Sequence, residues 1–356
     1  MIKNRILNLQ EILKDNEAFL VTSTSNRFYL TGFNSSAGTV LITKTRAVFF
    51  IDFRYFEKAK SSVCSCEVVL YDKGDKGIYE FCKSEKIKCI FVECSFISLI
   101  QHKHLSDLFG GIEISKDNLL DLNLNKMRAV KSADELMCIK QAQALTDSTF
   151  DYILPRITAG RTEREVMLDM EFFMRGLGAS GVSFDFIVVS GKNSSLPHGV
   201  PTERPIEKGD FVTMDFGGIV GGYCSDMTRT VAVGSVNDEQ KTVYDTTLKA
   251  QLAVLDSIKA GKICGDMDKI ARDIICDAGF KGCFGHALGH SVGIDVHESP
   301  SLSPNNKDVL QLGNVVTVEP GIYLENKFGV RIEDMVYVTE DGCINLTKSD
   351  KNLIIL

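Results

Sequence analysis

Four of the chain's six histidines, His198, His286, His290 and His297, fall in Gly- or Pro-punctuated segments of its second half. Three of them crowd one short stretch, His286-Ala-Leu-Gly-His290-Ser-Val-Gly-Ile-Asp-Val-His297. Imidazoles so close in sequence suit metal binding or proton transfer. A helical H-E-x-x-H zinc site does not fit, because Ala287 stands where the glutamate base would be and Gly289 and Gly293 disfavour a continuous helix.

Carboxylates supply the missing ligands. Residues 211–233 read as one β-hairpin with Gly221-Gly222 as its two-residue turn. Val220 then faces Tyr223 and, counting outward, Gly217 faces Asp226, which sets Asp215 and Asp226 on one sheet face as diagonal neighbours with an empty space over Gly217. Two such acids repel unless a cation lies between them; the alternative is that one of them caps a turn. Glu319 closes an apolar run at a Pro-Gly break, and Glu333 lies in the apolar run 329–338, sharing a face with Arg331 by the strand period of two. An ion pair with an arginine is the alternative for Glu333. Two Asp, two Glu and one His form an oxygen-rich set suited to a pair of divalent ions such as manganese, cobalt or zinc.

The elements that must position these groups divide the 356 residues into two domains. Runs 18–22, 39–42, 47–51, 66–70 and 87–92 read as strands alternating with helical patterns, the rhythm of a small α/β domain ending near Leu122. Residues 121–126 read as a polar linker. Ser132-Ala-Asp-Glu135 and Thr162-Glu-Arg-Glu165 are capping boxes that open helices, the second ending at Gly176 as C-cap. With further helices through Leu248, Leu252, Leu255 and Met267, Ile270, Ile274, and strand-rich segments 211–233 and 315–338, the second half is α+β with an antiparallel sheet. A hydrophobic content of 44% suffices for real cores, and 40 basic against 47 acidic residues, net charge −7, leave no footprint for nucleic acid. No stretch reaches the roughly 18 apolar residues of a membrane span. Eleven cysteines without a C-x-x-C pair suit a reducing compartment. The expectation is a cytoplasmic protein with no membrane partner.

Five motifs in order, D-F-G at 215–217, S-D-M-T-R-T around Asp226, H-x-x-G-H-x-x-G-x-x-V-H-E from His286, E-P-G-I-Y from Glu319 and R-I-E-D from Arg331, resemble the "pita-bread" metallopeptidases, specifically aminopeptidase P and prolidase. The segments 26–33, 36–38 and 51–55 are similar to that family's creatinase-type N-terminal domain. The resemblance implies a pita-bread catalytic domain at 123–356 behind a smaller α/β domain at 1–122. It implies Asp215, Asp226, His290, Glu319 and Glu333 as ligands of two metal ions, manganese first, with Asp226 and Glu333 bridging. His198 matches a substrate-contacting histidine, His297 one that stabilises the reacting carbonyl, His286 one lining a proline pocket, and Arg331 an arginine bracing the ligand shell. Glu319 matches the group that carries a proton to the leaving nitrogen. Cys224 and Ala287 depart from residues common in the family without removing a ligand. Typical methionine aminopeptidases lack the N-terminal domain, and creatinase and the histone-chaperone relatives lack the metal set.

The implied activity is release of the N-terminal residue from peptides with proline in second position. A prolidase restricted to Xaa-Pro dipeptides and a catalytically silent binding protein of the same fold are the alternatives. The expected partners are a proline-containing peptide substrate and a second copy of the chain in a homodimer, with no metal ligand drawn from the N-terminal domain.

Overall fold

The computed structural model describes residues 2–356, and the chain divides into two compact units, Met1–Met127 and Arg128–Leu356. In the first, strands β1 (Glu17–Val21), β2 (Thr39–Thr43), β3 (Ala47–Ile51), β4 (Glu67–Leu70), β5 (Cys89–Val92) and β6 (Glu113–Ser115) form one sheet in the order β4-β3-β2-β1-β5-β6. β2 runs antiparallel to β1 and β3, and the other neighbours are parallel. β1 to β3 are apolar along nearly their whole length because both faces are covered. The helix Thr24–Thr31 has no sequence expectation behind it: two of its four buried residues, Arg27 and Thr31, are polar, so no apolar stripe announces it. Ser23 caps its start by accepting from Asn26 N–H, and Gly32 ends it at φ 69°.

Residues 121–126 are not a linker. They lie inside the helix Leu119–Ala129, where Leu120 and Leu124, four apart, are wholly buried. Two apolar residues at helical spacing outweighed the polar composition around them. The division of the chain accordingly falls at Met127/Arg128 rather than at Leu122.

The second unit opens with the helix Ala133–Ile153, and Glu163–Gly176 follows; both start in complete capping boxes, Ser132 with Glu135 and Thr162 with Glu165. Gly176 is the last helical residue and not the cap, since the left-handed position is Gly178 at φ 106°. Strands β7 (Gly181–Val182), β8 (Ile187–Ser190), β9 (Phe211–Phe216), β10 (Gly218–Val220), β11 (Tyr223–Cys224) and β12 (Met227–Ala232) form two three-stranded sheets, β11-β10-β7 and β12-β9-β8. After the helices Asp238–Ser257 and Cys264–Ile275 come β13 (Gly289–Ser291), β14 (Glu298–Leu302), β15 (Val315–Val318), β16 (Gly321–Leu324), β17 (Phe328–Arg331), β18 (Asp334–Val338) and β19 (Cys343–Asn345). They pair as β14-β13-β15-β18-β19 and β16-β17, and every named pair in this unit is antiparallel. One core packs Phe150, Ile153, Val166 and Met170 against Val188, Val212 and Val231. The other packs Val243, Val254, Met267 and Ala271 against Val316, Val318, Val336 and Val338. The sheets are thus held between two helix pairs. Among the described residues, no helix is long and apolar enough to cross a membrane.

The expected hairpin register is the one found. Val220 faces Tyr223 and Phe216 faces Met227, with Gly217 and Asp226 between. The space over Gly217 is not empty, however: a Cβ there would overlap the Ser225 carbonyl, so the glycine allows one strand to cross the other where the hairpin passes from one sheet to the next.

Candidate active site

A cavity of about 540 Å³ in the second unit is lined by Asp215, Asp226, His290, Glu319 and Glu333, and also by His198, His286, His297 and Arg331. All nine residues singled out in the sequence therefore meet. The four carboxylates stand where strands end or break. Asp215 is the penultimate residue of β9, Asp226 lies between β11 and β12, Glu319 follows β15, and Glu333 lies between β17 and β18. The expectation that Glu333 sits inside one strand is corrected: residues 329–338 split between two sheets at Ile332-Glu333. The break turns the Glu333 carboxylate toward Thr228, whose Oγ1 donates to Glu333 Oε2 at 2.6 Å. The buried Arg229 holds that break by donating to the Glu333 carbonyl at 2.6 Å and to Asp334 Oδ1 at 2.7 Å.

Arg331 does not pair with Glu333. Its Nη2 donates to Asp215 Oδ2 at 2.7 Å, its Nε to Thr228 Oγ1 at 3.0 Å and its Nη1 to the Tyr323 hydroxyl at 2.8 Å. Tyr323 in turn lies 2.9 Å from His286 Nε2, while His286 Nδ1 is 2.8 Å from the Ala287 carbonyl. A carbonyl only accepts, so Nδ1 carries the proton and Nε2 receives the Tyr323 O–H. Thr228 and Tyr323 were not singled out from sequence. Thr228 was legible in S-D-M-T, two residues from Asp226 on the same strand face, and Tyr323 in E-P-G-I-Y.

His290 shows the chemistry most directly. Its Nδ1 lies 3.2 Å from the Ser291 carbonyl and so carries the proton, leaving Nε2 as a bare acceptor. That lone pair is 3.6 Å from Asp226 Oδ2 and 3.4 Å from Glu319 Oε1, both acceptors when ionised. Asp226, His290 and Glu333 offer ligand atoms within 4.8 Å of one another, and Asp215 Oδ1, Asp226 Oδ1 and Glu333 Oε1 are buried without a hydrogen-bond partner. Orphaned buried carboxylate oxygens are costly, and cations held in the cavity would satisfy them. The donor set fits divalent metal.

Protonation states agree. Burial, then Glu333 and Asp215, push the Asp226 carboxyl well up, and burial, then Glu319 and Asp215, do the same to Glu333. Glu319 is pushed up to about 8, mainly by burial and against the pull of Arg331. Burial holds His290 and His286 down at about 4, helped by His297 and Arg331 respectively. Without a cation Glu319 holds its proton at neutral pH, and Asp226 and Glu333 are shifted in the same direction, which marks these three as groups arranged for something positive.

Residues 137–340 match metallopeptidase family M24, and residues 5–130 match the creatinase/prolidase N-terminal domain. The peptidase YqhT of Bacillus subtilis is 40% identical over 96% of each chain. Among solved structures, an Xaa-Pro dipeptidase from Bacillus anthracis superposes with a TM-score of 0.93 at 39% identity, covering 100% of this chain and 99% of that one. An X-Pro aminopeptidase from Thermotoga maritima does so with a TM-score of 0.89 at 37% identity, covering 98% and 100%. The chain belongs to metallopeptidase family M24. It is a two-domain enzyme of pita-bread fold with a creatinase-type N-terminal domain, and its acidic cluster suits the divalent metals such enzymes use.

Proposed function

We propose that the protein is a dinuclear Xaa-Pro peptidase of the aminopeptidase P type. The observation that carries the reading is the convergence of the bare His290 Nε2 on Asp226 and Glu319 beside three orphaned carboxylate oxygens. Asp215, Asp226, His290, Glu319 and Glu333 would hold two divalent ions, manganese first because four of five donors are carboxylates. Four carboxylates also balance two such ions. Bound there, the metals would acidify water and polarise the scissile carbonyl.

The chain's own groups do the rest. Glu319 takes the proton of the attacking water on a carboxylate oxygen and passes it to the proline nitrogen as the C–N bond breaks, leaving a secondary amine. His297, exposed on the cavity wall, donates to the carbonyl oxygen as charge develops on it. His198, also exposed on the wall, contacts the substrate, and His286 lines the proline site with its Nε2 tied to Tyr323. Arg331 keeps Asp215 in place. A dedicated enzyme is needed because proline lacks an N–H and fixes φ, so sites that grip backbone hold this bond poorly.

A longer substrate is favoured over a dipeptide by the cavity lining. Among the described lining residues the only arginine is Arg331, already engaged by Asp215, and there is no lysine, so no free arginine or lysine awaits the carboxylate of an Xaa-Pro dipeptide. The relatives' names point both ways, to dipeptidase and to aminopeptidase. We place the enzyme in the cytoplasm as a homodimer in which the N-terminal domain shapes substrate length selection. The test is kcat/KM on Xaa-Pro against Xaa-Pro-Yaa-Zaa at measured metal content. Higher values for the longer peptide are expected; preference for the dipeptide makes it a prolidase, and no bound metal with no turnover leaves a silent binding protein.

A further inference from the structure

His290 and His297 are joined by a turn whose first residues are tied by backbone, Val292 N–H donating to the Val315 carbonyl at 3.0 Å and Cys224 N–H to the Gly293 carbonyl at 2.8 Å, while its far end, from Asp295 to His297, leaves the β13–β14 ladder. The β13–β14 ladder shifts register between His290 and Ser291, so Ser291 faces Glu298 and residues 292–297 loop out between them. The rings of His290 and His297 nevertheless lie 4.2 Å apart, one on a strand and the other on the loop. The backbone bonds fix the start of the loop, and side chains hold its end.

The Glu298 side chain, only 6% exposed, is folded into the turn, where its carboxylate packs so closely on Gly293 that a Cβ there would overlap it. Two cations meet it. Arg128 Nη2 donates to Glu298 Oε1 at 2.5 Å and to Asp295 Oδ2 at 2.6 Å, and Lys131 Nζ donates to Glu298 Oε2 and to Ser291 Oγ, each at 3.1 Å. Asp295 N–H also donates to Glu298 Oε1 at 3.2 Å. The cations are fixed in turn: Lys131 N–H donates to the Gly313 carbonyl at 2.9 Å, and Asn314 Nδ2 to the Ala129 carbonyl at 2.9 Å. Two positive and two negative groups therefore close a neutral set that spans the turn, touching its first residue, Ser291, and its last, Glu298. A single ion pair would have been enough to neutralise the glutamate. Grip at both ends of one turn sets its shape.

We infer that Lys131 and Arg128 are positioning residues that act through Glu298 to hold the turn closed and so present His297 to the cavity beside His290. The inference rests on the peptidase reading above for its kinetic consequence, though not for its structural one. Losing the clamp lets the loop relax outward and displaces His297 while the carboxylates stay in place. A displacement of this kind, one step removed from the reacting atoms, costs about 10- to 100-fold in activity.

The experiment compares wild type, Lys131→Met and Glu298→Gln by imidazole NMR and kinetics. With six histidines in the chain the ring signals are few, and His102 and His104, outside the second unit, serve as internal references. In Glu298→Gln, which keeps the side-chain shape, the His297 and His290 signals should move in metal-free and zinc-loaded protein while His102 and His104 stay. kcat should fall by about 10- to 100-fold with KM and metal content little changed. Lys131→Met should move the same two signals; if it fails to fold, Glu298→Gln decides alone. A folded Glu298→Gln with unmoved His297 and His290 signals and wild-type kcat overturns the inference, even if its melting temperature falls. Metal loss with His297 in place overturns it as well. If the wild type turns over no Xaa-Pro peptide, the peptidase reading fails, and the NMR shifts still decide whether the clamp positions His297.

Discussion

Without a cation, Asp226, Glu319 and Glu333 oppose one another, and each holds its proton well above the ordinary carboxylate range. With one, they become ligands. Asp226→Asn should therefore change sign with metal. In metal-free protein it removes a buried acid and should raise the melting temperature, by about 2–4 °C for each kcal/mol gained. In metal-supplemented protein it should lower both metal stoichiometry and melting temperature and abolish hydrolysis. Two ions retained in this variant would remove Asp226 from the ligand set. His297→Ala touches the other half of the chemistry: kcat should fall by about 10²- to 10³-fold, as for loss of an electrostatic donor, with bound metal unchanged. Loss of metal in that variant would make His297 a ligand.

At the scale of elements, strand breaks do the positioning. Asp226, Glu319 and Glu333 all sit where a strand stops, so their side chains leave the sheet and converge. The crossing at Gly217 is the tightest of these points, where the Ser225 carbonyl occupies the place of a Cβ. Gly217→Ala should destabilise by about 1–3 kcal/mol or more and open the gap between Asp215 and Asp226. Gly342→Ala, whose Cβ would meet nothing within 4 Å, is the matched control and should be near neutral. Urea midpoints of the two variants check this. Equal midpoints would mean that the hairpin absorbs the extra atom.

For the whole molecule, the buried titrating groups give stability a pH dependence with a definite window. A carboxyl whose folded pKa is raised stabilises below its unfolded value and loses that contribution as pH climbs through the folded one, about 8 for Glu319. His286 and His290, lowered to about 4, act in the opposite sense, but only below the unfolded histidine value near 6.5. Between about pH 6.5 and 8 the carboxyls act alone. The metal-free melting temperature should fall across that interval, and the increment gained on adding manganese should grow. A flat metal-free profile would show that the carboxyls are not shifted together. The division of the chain gives a second test. A fragment of residues 128–356, which contains every proposed ligand, should bind metal as the full chain does while losing discrimination between short and long Xaa-Pro peptides. Unchanged discrimination in a folded, metal-loaded fragment would remove the N-terminal unit from substrate selection.

What the amino-acid order determined alone is local in its physics. Capping boxes at Ser132 and Thr162 and the Gly221-Gly222 turn are read over a few residues, and the strand period of two carries the turn's register outward to pair Gly217 with Asp226. The motif order, read as a resemblance, named nine of the residues that line the cavity. Tertiary structure decided whatever depends on partners far along the chain. The segment 121–126 is helical because Leu120 and Leu124 find a core, which its polar composition hides. Arg331 grips Asp215, 116 positions away, rather than the nearby Glu333, and meets Glu333 only through the Thr228 hydroxyl that both contact, because the chain breaks at Ile332-Glu333 and passes to another sheet. Glu298 draws Lys131 from 167 positions away, a pairing that no periodicity encodes. Spacing along a strand fixes which face a side chain takes; which charge it meets there depends on how separate sheets are brought together, and only burial forces that choice.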